Sequence, residues 1–271
     1  MISGRMREGV RALTTKAALP AFFILLSLAH VARAQARRPA PYGLPAGALV
    51  LETRPLDLGG ARKRALVLWM QRPKKYPRNE EDGEIYTCPE ETRGSYYSGP
   101  ARVSLVDAEA GRVINTLKIA EETDGAQDEF DLPYRIHAGR YYRVPGVADG
   151  EEGRPEIMWL RDFDGDGKAR EFALFDAWAC MGLETALFGY SESQDRVIQY
   201  DVALETDFNG KKTAGVFKWV DYLFSKEQAA PGRWKYAIDY RGRAGSLDSY
   251  EVHYDSGAGR FEGTLKQTTE E

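Results

Sequence analysis

Across residues 162–168 the chain runs Asp-Phe-Asp-Gly-Asp-Gly-Lys, setting Asp162, Asp164 and Asp166 at positions 1, 3 and 5 of a loop with Gly167 at position 6. That alternation suits Ca2+: a tight glycine turn folds the carboxylates onto one oxygen-rich centre, and the Lys168 carbonyl at position 7 can join them. Three clustered carboxylates without a cation repel one another, so their spacing itself calls for a bound ion. The loop is not an EF-hand. Position 12, where that motif needs a bidentate acid, is Ala173. The flanks 156–160 and 171–175 have the apolar, β-branched and aromatic character of strands rather than helices.

Asp-x-Asp-Gly-Asp-Gly between two strands resembles the calcium loops of the FG-GAP/VCBS repeats, found in integrin-alpha-type β-propellers and in many exported bacterial proteins. The resemblance implies a loop that joins adjacent strands of one blade, with the ion fixing the hairpin. It also implies a last acidic ligand at position 9. This chain has Arg170 there and Glu171 one residue later, so Glu171 is the acid available to complete the set. The likeness covers about 15 residues clearly, and it extends over 156–203 if that stretch is a four-stranded meander. Asp207, Asn209 and Gly210 form a degenerate echo lacking the third acid.

Other chemistry-bearing residues assemble less clearly. Cys88 and Cys180 are the only cysteines, with no histidine nearby, and in an oxidising compartment their default state is a disulfide. His253 falls on the polar side of a strand pattern. His137 lies in the basic-aromatic stretch 134–143, where Tyr and Arg residues are ordinary on an antiparallel sheet yet also able to stack a sugar ring or hold an acidic ligand. The acidic stretch 121–131 has the character of a solvated loop. No G-x-S-x-G occurs.

The elements that must position these residues show a period of two. Trp234, Tyr236, Ile238 and Tyr240 alternate with charged residues, as do Tyr250, Val252 and Tyr254; Ile198, Tyr200 and Val202 alternate with Gln199 and Asp201. Such alternation is that of half-buried antiparallel strands. Residues 157–160 and 172–175, apolar on both sides, have the pattern of central strands. The best candidate for a helical turn is 225–230. One hairpin pattern recurs three times: Asp107 with Gly111, Arg112 and Val113; Ser191 with Asp195, Arg196 and Val197; Asp255 with Gly259, Arg260 and Phe261. In each, the opening Asp or Ser can cap the turn, and Gly or Asp tolerates positive φ at its end. The expected fold is all-β, with antiparallel meanders in propeller-like four-stranded sheets; a two-sheet β-sandwich is the runner-up.

The N-terminus adds a compartment. A basic leader (Arg5, Arg7, Arg11, Lys16), a 13-residue apolar run over 17–29 and the small residues Ala32 and Ala34 make residues 1–34 a secretory signal peptide. The run is too short for the ~18–20 residues of a membrane span. A Pro-rich linker follows over 35–46, then a single all-β domain over 47–268. Cleavage takes five basic residues and one acid from totals of 37 and 41, leaving a formal charge of -8. An acidic surface repels phosphate backbones and anionic lipid, so nucleic-acid and membrane-surface partners are disfavoured; no nucleic acid and no membrane insertion after cleavage are expected. The sequence thus favours a secreted or periplasmic, Ca2+-stabilised binding or structural module, whose ligand is a polysaccharide or a cell-envelope protein. The alternative is a secreted hydrolase, glycan-active through carboxylate residues.

Overall fold

A computed structural model describes residues 41–76, 96–119, 130–132, 142–143, 145, 155–178, 182–241 and 245–269, all within the contact unit Pro39–Glu271. In order, the strands are β1 (Ala48–Leu56), β2 (Arg64–Gln71), β3 (Lys74–Tyr76), β4 (Tyr96–Gly99), β5 (Ala101–Asp107), β6 (Arg112–Ile119), β7 (Phe130–Leu132) and β8 (Glu171–Trp178). They continue as β9 (Gly182–Ser191), β10 (Arg196–Gln199), β11 (Val202–Phe208), β12 (Lys211–Phe217), β13 (Val220–Asp221), β14 (Arg233–Asp239), β15 (Leu247–Asp255) and β16 (Arg260–Thr268). Helical turns are short, at Pro41–Gly43 and Leu223–Ser225. No helix among the described residues is long and apolar enough to cross a membrane. The chain is all-β.

Its strands form antiparallel pairs with one exception. The first sheet has the order β1-β2-β5-β6; β2, an unbroken apolar run, is buried on both faces and sits centrally. The hairpin of β2 and β5 continues past Pro73 and Pro100 into β3 and β4, where β7 joins to make a small three-stranded sheet. In the second sheet β9 has β8 along one side, with β10 and β13 sharing the other. The third has the order β12-β11-β16-β15-β14, and its β11–β16 pair is parallel. Leu66, Leu105, Phe172, Leu187, Trp234 and Phe261 belong to one buried apolar cluster, so the three larger sheets share a core.

All three recurrent hairpins form as the sequence indicates. They join β5 to β6, β9 to β10 and β15 to β16, with Asp107 opposite Arg112, Ser191 opposite Arg196 and Asp255 opposite Arg260. Asp107 Oδ1 accepts from the Glu109 and Ala110 amides at 3.1 and 2.8 Å, and Asp255 Oδ1 from those of Gly257 and Ala258 at 2.7 and 3.1 Å. Gly111, Asp195 and Gly259 take φ of 64, 46 and 67°. The alternating segments of β14 and β15 bury Trp234, Tyr250 and Val252, and His253 is exposed.

Elsewhere the structure departs from the expectations. Residues 197–202 are not one strand: the ladder with β9 ends at Gln199, with a last bond from the Tyr200 amide to the Leu187 carbonyl, the chain crosses at Tyr200 and Asp201, and Val202 begins β11 in the third sheet. Tyr200 and Val202 are both buried, which a period-two pattern cannot distinguish from one continuous strand. Residues 157–160 are not a strand either. The Glu52 carboxylate accepts the Ile157 and Met158 amides at 2.7 and 2.8 Å, which bends the segment away from a ladder. The stretch 156–203 is therefore not a four-stranded meander. The helical turn lies at Leu223–Ser225, ahead of the expected 225–230. Asp207 caps a two-residue hairpin in which Asn209 and Gly210 have φ of 49 and 86°, so the degenerate echo is a turn.

Side chains tie the first sheet to the second. Arg64 donates to Asp107 at 2.9 Å and to Asp195 at 3.1 and 2.9 Å, bridging the first two hairpin loops. Asn115 of β6 meets Val197 of β10 with both halves of its amide, donating to the carbonyl at 2.9 Å and accepting from the N–H at 3.0 Å. Val197 is fully buried, so its backbone groups have no water to fall back on. We expect Asn115→Ala to cost about 1–3 kcal/mol by stranding both groups. Urea unfolding should show a lower midpoint with an unchanged slope, and Asn115→Asp, which repels the Val197 carbonyl, should not restore it.

Candidate metal centre

The Asp/Gly loop hangs from a single antiparallel bridge. Arg161 N–H donates to the Glu171 carbonyl at 2.8 Å, and Glu171 N–H returns a bond to Arg161 at 3.2 Å. Within the loop the aspartates bond the backbone ahead of them. Asp162 takes the amides of Gly165 and Gly167 at 2.8 and 3.0 Å, Asp164 that of Asp166 at 3.0 Å, and Asp166 that of Lys168 at 2.8 Å. Gly165 and Gly167 have φ of 80 and 84°, the left-handed conformation this winding needs and which a Cβ disfavours.

This winding brings Asp162, Asp164 and Glu171 together, with one carboxylate oxygen of each within 4.8 Å of the others. Glu171 is 1% exposed, and its Oε2 accepts the Phe163 amide at 3.0 Å. Burial, reinforced by Asp164, pushes its carboxyl up to about 9. Burial also raises the carboxyl of Asp164, against the pull of the Asp166 amide. None of the three forms an ion pair among the described residues. The neighbouring cations point elsewhere: Lys168 and Arg170 both reach Glu192, at 3.1 and 2.8 Å. Asp166 lies outside the converging three, exposed, with its second oxygen 3.8 Å from the Lys168 ammonium.

Three features that sequence reasoning passed over hold the cluster in place. Gly189 faces Glu171 across the β8–β9 ladder, and a Cβ there would come within 2.8 Å of Glu171 Cγ; this glycine is what gives the acid its space. Its signal was a lone glycine inside an apolar strand. Gln228 spans two loops: its Nε2 donates to the Asp162 carbonyl at 2.7 Å, and its Oε1 accepts from Gly232 at 2.7 Å. Gly165 and Gly232 let those loops touch backbone to backbone, since a Cβ on Gly232 would lie 2.7 Å from the Asp164 carbonyl oxygen. Gly232 in turn accepts the Tyr254 amide of β15 at 2.8 Å, so the loop is fastened to the third sheet. Phe163 stacks on Trp234 and meets Phe224 edge-on, anchoring the loop in the core.

Cys88, Cys180, His137 and the acids of 121–129 lie outside the described residues. Asp131 is in β7, and Tyr142 and Arg143 of the basic-aromatic stretch stand apart from the carboxylate cluster, near Trp159 and Phe175.

The folded chain retains a proton on Glu171 up to about pH 9, whereas an unfolded chain releases it near 4.5. This group's contribution to the metal-free fold is thus complete below the lower value and is lost as pH rises through the higher one. We expect the Tm of chelator-treated protein to fall across that window, and Glu171→Gln, which carries no charge, to flatten the fall. Thermal unfolding in EDTA at a series of pH values measures this; a Tm rising with pH would contradict it. Gly189→Val should displace the Glu171 side chain and lower the Tm at pH 5, where charge plays little part. No protein-family profile matches the chain, and no curated protein or solved structure shows significant similarity to it.

Proposed function

We propose that this chain is an exported β-rich binding or structural module whose second and third sheets are locked together by Ca2+ at Asp162, Asp164 and Glu171. The observation that carries the reading is the convergence of three carboxylates, one of them 1% exposed, with no cationic side chain among the described residues paired to any of them. Such a group either holds protons against their ordinary pKa or holds a cation. The donors are all oxygen, which selects a hard ion over zinc or copper. Ligands of one Ca2+ sit about 2.3–2.6 Å from it, so their oxygens lie at most roughly 5 Å apart. The 4.8 Å spread of the three carboxylates fits that limit. The Lys168 carbonyl and water complete the six to eight oxygens that Ca2+ takes.

An ion here acts on architecture. Its loop is bonded through Gln228 and Gly232 to β15, and through Glu171 to β8 and β9. Neutralising the acids removes a repulsion that otherwise pushes these loops apart. Glu171 serves the ion rather than hydrolysis, because a carboxyl so deeply buried cannot reach a glycosidic bond. Export follows from the leader over 1–34, and millimolar extracellular Ca2+ is where modules of modest affinity are filled. The partner in that space is a polysaccharide or a cell-envelope protein.

The test is a calcium titration of chelator-stripped full chain by calorimetry, paired with thermal unfolding. We expect binding at about one ion per chain, and at 100 times Kd a stabilisation of about 2.7 kcal/mol, or roughly 5–10 °C in Tm. Asp164→Asn should lose both the heat and the shift. An unchanged Tm in calcium, or an equal shift in Asp164→Asn, would overturn the reading.

A further inference from the structure

The residues that alternate with Asp162 and Asp164 line a different feature. Arg161 and Phe163, together with Tyr142, Glu156, Trp159 and Ser225, border a cavity of about 110 Å³. The Arg161 guanidinium stands 5.0 Å from the ring centre of Trp159 and 4.9 Å from that of Phe163. It is half-buried, and its side chain makes no ion pair or hydrogen bond among the described residues. Burial lowers its pKa, and Glu227 opposes this only through space.

The nearby acids are already engaged. Glu156 binds Arg54 at 2.9 Å and Arg143 at 3.6 Å. Glu52 holds Arg54 and the two amides of Ile157 and Met158. Among the described residues the half-buried Arg161 guanidinium is thus left without a paired carboxylate. Surface arginines are solvated freely; one lodged between two rings has given up part of its hydration and keeps its planar fork pre-set. A fork of that kind is matched by a carboxylate, which takes two parallel N–H bonds.

The rest of the lining narrows the ligand further. The Tyr142 hydroxyl accepts the Phe175 amide at 3.3 Å and has its proton left to give. The Ser225 hydroxyl donates to the Tyr222 carbonyl at 2.7 Å and has lone pairs left to accept. Glu156 can accept from a hydroxyl. Trp159 is 40% exposed, which leaves part of its ring open to a ligand's C–H surface. A carboxylate flanked by hydroxyls on an apolar ring describes an acidic sugar, and the volume suits its carboxylate end rather than a whole chain.

We propose that this cavity binds the carboxylate of a uronic-acid residue in an acidic polysaccharide, with Arg161 as the anchor. The inference deepens the binding-module reading above and rests on it, by naming the class of ligand. Asp162, between Arg161 and Phe163, makes the loop common to both sites, so an ion that fixes the loop also fixes the fork.

The experiment is calorimetric titration of the full chain in calcium with methyl glucuronoside, the neutral methyl glucoside, inorganic phosphate and an acetylated dipeptide with a free carboxylate. The glucuronoside should bind, with the glucoside at least about tenfold weaker. Arg161→Leu, which keeps the stacked apolar stem, should abolish binding, and Arg161→Lys, which keeps charge without the fork, should weaken it on the order of tenfold. Arg161 carries no ion pair among the described residues, so these variants should stay folded, with Tm lowered only by the loss of its two ring contacts; Trp159→Leu provides a second variant, also expected to weaken binding. Equal binding of the glucoside, tighter binding of phosphate or the dipeptide, no binding at all, or full binding by Arg161→Leu would each overturn the proposal. The calcium-induced Tm shift, measured on the same samples, separates the two claims. A shift without glucuronoside binding removes the cavity's role and leaves the ion; binding without a shift removes the ion and leaves the cavity.

Discussion

A buried carboxylate beside two others is a constraint that the surrounding fold must satisfy before anything else. Glu171 begins β8, faces Gly189 on β9 and accepts the amide of Phe163, so moving it would disturb the ladder, the loop and the core together. Removing a charge of this kind to solvent is not open to the chain, since the residue is walled by backbone. The remaining choices are a proton or a cation. Everything distinctive about the loop, from its two left-handed glycines to its Gln228 clasp, keeps the three acids close enough for that choice to matter.

The same economy of polar groups explains how separate sheets are joined. Where a strand ends early, a side chain supplies the missing partner. Asn115 pairs with Val197 as a neighbouring strand would, and Glu52 takes two successive amides of a segment that is not in a ladder. Gln228 does this between loops, one amide group satisfying a carbonyl and an N–H. Each substitution lets the chain change direction without leaving a buried backbone group unpaired, the requirement that otherwise forces long uninterrupted strands. It is this device that allows β10 and β11, contiguous in sequence, to belong to different sheets.

Legibility in the sequence followed the range of the forces involved. Local signals were clear: the three recurrent hairpins, two of them capped by an aspartate, and the two-residue alternation of β14 and β15 are set by residues within a few positions of one another. The aspartates of the loop were visible for the same reason. What was hidden depended on contacts far along the chain. Residues 157–160 have strand-like composition, yet Glu52, more than a hundred residues earlier, draws their amides off the ladder. Asp166 matches the loop pattern as well as Asp162 and Asp164 do, yet the fold leaves it exposed outside the cluster, while Glu171, which the sequence did offer as the last acid, joins from the first residue of β8. Gly189 and Gln228 carry no chemistry of their own; they serve the site only through proximity that folding creates.

A strand-like alternation at residues 161–164 has a further consequence. Asp162 and Asp164 contribute to one centre, Arg161 and Phe163 to the wall of a cavity, and only peptide bonds separate them. Fixing either set of side chains restricts the same four backbone positions. Order imposed on that backbone by one ligand need not be imposed again by the other, and by linkage any gain in affinity is reciprocal. The Phe163 amide is the physical joint: it donates to Glu171 while its own ring packs beneath the Arg161 guanidinium and against Trp234. An ion that drew Glu171 toward the aspartates would therefore pull on the ring that shapes the cavity, which is how the proposed centre would act on recognition as well as on stability.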